Sequence, residues 1–340
     1  MAVTLEARRS FLGTKRWYVG WAWPGVLSMI GDQMGLTVAV LAVSMGAVGL
    51  AAAPEEQRRR RDGAEVFRAG VELVQMSATV VDETGRLVSD LDQDDFEVFE
   101  DGEPQTLTHF TRERIPLSLG VVLDVSQSMF GQRIDDARLA LDQFLAELLD
   151  PLDEVFVTVF NHEPRVAVPW TIGPRRVRNR LNDIRPYGGT GIYDAMMEAL
   201  PMFGLRVNQR AAVVLISDGS DTGSEADVRD VRRQLRRSDA FVYAIAIDAP
   251  DTRAINDRVN PHALREITTE SGGYTEVVRD SPELGPATAR IAAELDQQYT
   301  LTYMPDRPPD GSYRSIRVRV PDGEYRVRTR RGYVAEPRSP

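Results

Sequence analysis

The chain has 340 residues, 42% hydrophobic and 27% charged, an ordinary globular composition for two or three domains. Its formal net charge of −10 argues against a nucleic-acid-binding protein. Because the chain contains no cysteine, disulfides, a thiol nucleophile, thiolate metal sites and a lipidated cysteine are excluded.

The N-terminal residues 1–53 predict a signal peptide or a membrane anchor. Residues 36–53 are uncharged and apolar and end in small residues, as the cleavage region of a secretory signal does. The same stretch is also about long enough to span a bilayer. Arg8 and Arg9, followed by Ser-Phe-Leu, are similar to a twin-arginine export motif, although the spacing to the apolar stretch is unusually long.

Cleavage of this signal and its retention as an anchor through residues 34–53 are both open, and Met29 or Met34 is an alternative start. Either outcome predicts an exported protein, which is periplasmic, extracellular or anchored in the cytoplasmic membrane facing outward. Residues 54–65 follow as a charged linker, which we expect to be disordered.

Residues 66–113 predict a small N-terminal β module. A valine-rich strand covers residues 71–81, and Asp101-Gly102 is a strong hairpin turn signal. A few strands bury little apolar surface and are marginally stable alone.

The stretch from Leu117 to Met129, LSLGVVLDVSQSM, predicts a buried strand that runs into a polar loop. An apolar run without polar alternation is typical of a strand covered on both faces, as in a parallel sheet. Asp124, Ser126 and Ser128 follow at spacing i, i+2, i+4. A metal-binding loop needs hard oxygen ligands this close together.

Two later segments offer further oxygen ligands. Thr190 lies in a glycine-rich loop just before a predicted helix, where its hydroxyl can cap the helix or hold a metal. Asp218 directly follows the apolar strand at residues 211–216. In open α/β sheets ligands bind beyond the carboxyl ends of the strands, so we expect Asp124 and Asp218 to meet there.

Residues 116–298 alternate predicted strands and helices, which indicates an α/β fold with a mostly parallel sheet covered by helices on both faces. Ser224 with Asp227 predicts a capping box for one of these helices. We expect Asp221 either to support the ligand residues from behind or to cap a loop. We expect Asp194 to be a first-turn helix acid favoured by the helix dipole.

The C-terminal β segment, residues 299–335, alternates apolar positions with arginines, for example Arg317, Arg319, Arg326 and Arg328. The cationic face is either a docking face for an acidic partner or, as we prefer, one that is solvated or packs on acidic parts of this chain. Because each flanking β segment is too small to be stable alone, we predict that residues 66–112 and 299–335 pair into one β-sandwich-like module.

These residues together resemble the von Willebrand factor type A (VWFA) domain, over residues 116–298. Its metal-ion-dependent adhesion site consists of a D-x-S-x-S loop, a threonine on a second loop and an aspartate after a later strand. The matching residues, which the resemblance makes metal ligands, are Asp124, Ser126, Ser128, Thr190 and Asp218. The implied fold is a doubly wound, Rossmann-like α/β domain. The flanks are similar to those of bacterial VWFA-related proteins of acidobacterial type, whose function is poorly defined.

The resemblance implies a non-enzymatic adhesion module in which the metal grips an Asp or Glu carboxylate of a protein partner. Two carboxylates and three neutral hydroxyls suit Mg²⁺, with Mn²⁺ or Ca²⁺ also possible. We expect the hydroxyls to bind directly and the aspartates to bind directly or through water.

Three alternatives remain open. Asp124, Ser126 and Ser128 can simply cap a turn. The metal can serve only to hold the loops together in an assembly scaffold. A metal-dependent phosphoesterase is the outside alternative, although Ser126 stands where that chemistry usually wants a second aspartate. The three histidines lie in no zinc spacing, and the chain has no G-x-S-x-G elbow and no P-loop.

Overall fold

The structure, a computed structural model, describes residues 73–247, 261–279 and 281–337. Within them the strands are β1 (Val74–Val81), β2 (Glu97–Glu100), β3 (Glu103–Gln105), β4 (Leu107–Thr111), β5 (Leu117–Asp124), β6 (Glu154–Phe160), β7 (Arg165–Thr171), β8 (Arg210–Ser217), β9 (Phe241–Ile247), β10 (Thr275–Val278), β11 (Tyr299–Tyr303), β12 (Tyr313–Arg319), β13 (Arg326–Arg328) and β14 (Gly332–Val334). The helices are α1 (Gln132–Leu148), α2 (Arg175–Asn182), α3 (Ile192–Ala199), α4 (Val228–Leu235), α5 (Pro261–Ser271) and α6 (Leu284–Asp296).

A six-stranded sheet in the order β10-β9-β8-β5-β6-β7 forms the centre of the fold. All neighbouring strands in it are parallel except β7, which pairs antiparallel with β6 at one edge. Every residue of β5, β6, β8 and β9 is buried. These strands can be continuously apolar because helices cover both of their faces, so the predicted α/β fold class is confirmed.

The helices divide between the two faces of the central sheet. Buried side chains of α1, α2 and α6 pack in one hydrophobic cluster, and those of α3, α4 and α5 pack in a second. Alternate residues along β5 supply the two clusters, with Val121 and Leu123 in the first and Val122 in the second. This follows from the two-residue period of a strand.

The two flanking β segments pair with each other, as predicted. They form two four-stranded sheets, ordered β13-β1-β11-β4 and β14-β12-β2-β3, and each sheet takes strands from both flanks. In the first, Met76 lies opposite Leu301, and in the second, Val98 lies opposite Val318. One hydrophobic cluster, which includes Phe96, Tyr299 and Tyr303, is shared by both sheets. We call this unit the sandwich.

Buried polar contacts join the sandwich to the amino end of the central sheet. Glu294 of α6 accepts hydrogen bonds from Thr79 Oγ1 of β1 (3.1 Å) and Tyr243 Oη of β9 (2.9 Å), and it pairs with Arg328 of β13. Gly272 packs so closely against the sandwich that a Cβ there would lie 2.5 Å from the carbonyl carbon of Thr329. The sandwich and the α/β domain are therefore in direct contact.

Arg114 holds the connection from the sandwich into β5. Its guanidinium lies 2.5 Å from Asp153, 2.7 Å from Asp150 and 2.8 Å from Asp296, and it donates to the carbonyl oxygen of Leu148 at 2.7 Å. Asp153 is fully buried. Its charge is thus matched from within the chain.

Two sequence predictions differ from the structure. Helix α4 begins at Val228 with Asp227 as its N-cap, and Asp227 forms its capping box with Asp230. The expected box from Ser224 is wrong, because the Ser224 hydroxyl donates to Asp221 instead (2.6 Å).

The arginines of the C-terminal segment also do not form one face. Arg317 and Arg319 are exposed and lie over the ring of Phe99. Arg328, by contrast, is paired with Glu294, and Arg330 donates to the carbonyl oxygen of Gln75 (3.0 Å).

The predicted signal or anchor (1–53), the linker (54–65) and residues 66–72 lie outside the described residues. In the part of the chain that is described, no helix is both long and apolar enough to cross a membrane.

Candidate metal centre

Asp124 is the last residue of β5, and its carboxylate stabilises the turn into the following loop. Its Oδ1 accepts from the backbone N–H of Ser126 (2.8 Å), and its Oδ2 accepts from the hydroxyl of Ser217 (2.6 Å). Ser217 is the last residue of β8, the strand beside β5. The two strand ends are therefore joined through this carboxylate.

The loop hydroxyls link Asp124 to Asp218. Ser126 Oγ lies 3.0 Å from Ser128 Oγ, and Ser128 Oγ donates to Asp218 Oδ1 at 2.6 Å. Asp124 and Asp218 have no solvent-exposed surface, and Ser126 is 1% exposed. Four of the five predicted ligands thus lie in one hydrogen-bonded cluster at the carboxyl edge of the sheet.

Thr190, the fifth, lies against the same edge. A Cβ on Gly219, the residue after Asp218, would be 3.1 Å from Thr190 Oγ1. The Thr190 carbonyl oxygen accepts from the backbone N–H groups of Thr222 (2.8 Å) and Gly223 (3.0 Å). Its loop is also tied to the first one, because Gln127 N–H donates to the carbonyl oxygen of Gly188 (2.9 Å).

Thr190 does not cap the helix that follows it. The backbone N–H groups of Ile192 and Tyr193, in the first turn of α3, donate to Asp221 Oδ1 at 2.6 and 3.3 Å. Asp221 therefore caps the first turn of helix α3, and it also accepts from the Ser224 hydroxyl in its own loop (2.6 Å). Asp194, expected as a first-turn helix acid, lies in the first turn of α3 and also accepts from Glu225 and Ala226 N–H groups (2.9 Å each).

Burial raises the pKa of Asp124 to about 7, against the hydrogen bonds from Ser217 and Ser126, which lower it. The negative charge of Asp218 adds to the rise. The ionised form of Asp124 is disfavoured here because no full positive charge is among its hydrogen-bond partners. A cation bound between the two carboxylates would instead favour the ionised form of Asp124.

Sequence reasoning missed two residues of this cluster. Ser217 precedes Asp218 directly, so its place at a strand end was a usable signal. Arg133, in the first turn of α1, donates to the Ser128 carbonyl oxygen (2.9 Å), and its Nη1 lies 3.4 Å from Asp218 Oδ2. No local pattern in the sequence distinguishes Arg133 from the other arginines of the chain.

The residues present fit a hard divalent cation. The cluster offers two carboxylates and three hydroxyls and no nitrogen or sulfur donor, which is the chemistry that Mg²⁺ prefers. Across the described ranges no group of three or more His, Cys, Asp or Glu gathers as a metal cluster. The hydroxyls of Ser126, Ser128 and Thr190 would therefore have to complete the ligand set.

Residues 119–220 match the family model described as the von Willebrand factor type A domain. This segment contains residues 119–124 of β5, all of β8 and all five candidate ligands. The α/β unit of the chain thus contains a segment that matches the VWFA family model.

Two inter-alpha-trypsin inhibitor heavy chains are among the similar curated proteins. Heavy chain H4 of Homo sapiens is 25% identical over 204 residues, which is 56% of this chain and 20% of that protein. Heavy chain H2 of Mus musculus is 25% identical over 136 residues, 36% of this chain and 14% of that protein. The chain thus spans about a fifth or less of the length of these relatives.

Among solved structures, the von Willebrand factor type A protein from Catenulispora acidiphila is 12% identical with a TM-score of 0.46, covering 79% of this chain and 75% of that one.

Proposed function

We propose that the chain is a non-enzymatic, extracytoplasmic protein-binding module whose VWFA metal site uses Mg²⁺ to hold an Asp or Glu carboxylate of a partner protein. The observation that carries the proposal is the pair of fully buried carboxylates, Asp124 and Asp218, bridged by serine hydroxyls. Asp124, Ser126, Ser128, Thr190 and Asp218 are the residues that would hold the ion. When bound, it would supply positive charge for an anionic group, because neutral hydroxyl ligands do not cancel it.

The surface around the cluster supports a protein partner. Phe130, two residues after Ser128, is 66% exposed, and Tyr187, three residues before Thr190, is 47% exposed. Exposed aromatic side chains beside a polar centre are typical of protein contact sites. The extracytoplasmic part of the proposal rests on the apolar residues 36–53 of the sequence.

Magnesium titration of the purified full chain, by calorimetry and thermal unfolding, tests the metal site. We expect saturable binding and a higher melting temperature, because a ligand that binds only the native state stabilises it. Thr190→Val keeps the shape of the side chain without its hydroxyl and should weaken binding by about tenfold or more. Thr190→Ser, the matched control, should bind as the wild type does.

Asp124→Asn, which keeps a hydrogen-bonding oxygen, should lose the binding. A wild type that binds neither Mg²⁺, Mn²⁺ nor Ca²⁺, or an Asp124→Asn variant that binds equally well, contradicts the metal site.

Binding of a partner carboxylate by the metal needs a separate experiment. The metal-loaded chain is titrated with a short peptide that carries one aspartate, and with the same peptide carrying asparagine. We expect the aspartate peptide to bind and the asparagine peptide not to bind. Removal of the metal by a chelator should abolish the binding. If Mg²⁺ stabilises the fold but neither peptide binds, the assembly-scaffold alternative replaces the proposal.

A further inference from the structure

A large cavity lies where the α/β domain meets the sandwich, at the amino end of the central sheet. Its volume is about 970 Å³. The lining comes from α5, β10 and α6 on one side and from the end of β1, its following turn, β12 and β13 on the other. Gly272, packed against the Thr329–Arg330 peptide, is one of its lining residues.

The lining is strongly cationic, although the chain as a whole is acidic. Seven arginines face two glutamates, a surplus of five positive charges, on a chain whose formal net charge is −10. The arginines are Arg86, Arg265, Arg290, Arg317, Arg326, Arg328 and Arg331, and the acids are Glu276 and Glu294. A concentration of one sign in a concave surface attracts ligands of the opposite sign.

Three of the seven lining arginines already form ion pairs with carboxylates of this chain. Arg290 pairs with Glu276, Arg328 pairs with Glu294, and Arg86 pairs with Asp82. Four exposed arginines remain without a carboxylate partner among the described residues: Arg265, Arg317, Arg326 and Arg331. Arginine forms bidentate hydrogen bonds with carboxylates, so these four are suited to an acidic ligand.

Two strand edges border the same cavity. β10 is the last strand of the central sheet, and β13 is the last strand of one sandwich sheet, so each pairs with a single described neighbour. The cavity touches both α5 and α6, which cover opposite faces of the central sheet, and it reaches the edge strand β10 at Thr275 and Glu276. An unpaired edge offers backbone N–H and C=O groups to an added strand.

We propose that this cavity binds an extended acidic peptide segment of a partner protein, which adds as a strand beside β10 or β13 while its carboxylates meet Arg265, Arg326 and Arg331. The strand edges favour a peptide over a polysaccharide or a lipid, because only a peptide can continue a backbone ladder. Residues 54–72 hold five arginines and five acidic residues, so their sequence lacks the excess of negative charge that this lining suits.

This peptide site is separate from the candidate metal centre. The cavity lies at the amino end of the sheet, and Asp124 and Asp218 lie at the carboxyl end. β5 spans that distance with eight residues, or roughly 25 Å. The two proposals can therefore fail independently.

The test uses the full chain in EDTA, so that carboxylate binding at a metal cannot contribute. The probe is a short fluorescent peptide in which glutamate and valine alternate, followed by fluorescence anisotropy. We expect saturable binding. Arg326→Gln together with Arg331→Gln should weaken it by at least about tenfold, since two charge-assisted contacts are removed. Arg175→Gln with Arg180→Gln, an equal change of charge on α2, is the matched control and should bind as the wild type does.

A second probe tests strand addition. The same peptide, N-methylated on alternate backbone nitrogens, keeps its charge but cannot donate the ladder hydrogen bonds, and its binding should be lost. Equal binding of the methylated peptide overturns strand addition, and equal weakening in the α2 control overturns the site. If a sulfated polysaccharide or phosphatidylserine vesicles bind through Arg326 and Arg331 and the peptide does not, the proposed peptide partner is wrong.

Discussion

Buried carboxylates have different kinds of partner at the two ends of the central sheet. At the amino end, Asp153 is met by Arg114, and Glu294 by Arg328, both from this chain. At the carboxyl end, Asp124 and Asp218 are bridged mainly by hydroxyl groups, and the pKa of Asp124 is raised to about 7, chiefly by burial. The amino-end carboxylates are thus each paired with an arginine, whereas at the carboxyl end Arg133 lies 3.4 Å from Asp218 and Asp124 accepts, among the described residues, only from neutral donors. A cation added beside Asp124 would supply the positive charge that these donors do not. Two buried carboxylates that share serine hydroxyls therefore mark the candidate site.

The strongest way to break this comparison is Arg114→Ala. The variant leaves buried Asp153 without its guanidinium, and removing one partner of a buried ion pair costs about 3–5 kcal/mol. Arg86→Ala removes an exposed pair with Asp82 and should cost at most about 1 kcal/mol. Urea unfolding of both variants measures the difference. Similar small losses in both would show that the amino end does not depend on Arg114.

Gly272→Ala tests the contact between the α/β domain and the sandwich. Gly272 has a φ of +96°, and an added Cβ would meet the Thr329 backbone at 2.5 Å. Backbone strain and overpacking together should lower the unfolding free energy on the order of 3 kcal/mol. Gly85, with a φ of +83° and open space around it, is the matched control. Gly85→Ala should cost about 1–2 kcal/mol, and equal losses in denaturant unfolding would contradict the close packing.

The smallest expected effect is a pH dependence at Glu270 of α5. Burial acts to raise the pKa of Glu270, but hydrogen bonds and charge from Arg236 and Arg232 of α4 outweigh it, so the pKa is lowered from 4.5. Glu266 is the other acid near Arg232, at 4.0 Å. Because the folded-state pKa lies below the unfolded one, Glu270 stabilises the fold above about pH 4.5, and this is lost as the pH falls through the folded-state pKa.

Unfolding free energies measured between pH 3 and pH 6, on the order of the carboxyl titration range, provide the check. Glu270→Gln should flatten the loss of stability at acidic pH relative to the wild type. An unchanged acid slope in the variant would show that other carboxyls account for it.

The central fold and much of the candidate site were predictable from local sequence. Continuous apolar runs identify β5 and β8 as buried parallel strands, and strand ends are where polar residues of an α/β sheet converge. Asp124, Ser126 and Ser128 share one loop, so their proximity follows from spacing alone. That they hold a metal stays a prediction.

Features assembled from distant segments were not predictable in this way. The cationic cavity combines residues from Val81 to Arg331, and only the closed sandwich brings them together. The capping box of α4 failed for a related reason. Ser224-x-x-Asp227 and Asp227-x-x-Asp230 both match the local pattern. The choice depends on Asp221, which accepts from the Ser224 hydroxyl and is itself bound by backbone N–H groups of the distant helix α3.

The pairing of the two flanks has a mechanical consequence. Thr111 at the end of β4 pairs with Thr300 of β11, so both connections to the α/β domain leave from neighbouring strands. A pulling force at the carboxyl edge is therefore divided between two connections and does not stretch the domain between its own ends. If the chain is held at Val74, the force acts on β1 at Val74 and on β11 at Tyr299. These two residues lie at opposite ends of the strand pair, because Val74 lies opposite Tyr303 and Ala78 lies opposite Tyr299. The strands then slide in shear, with their hydrogen bonds strained together, which is the arrangement that best resists tension.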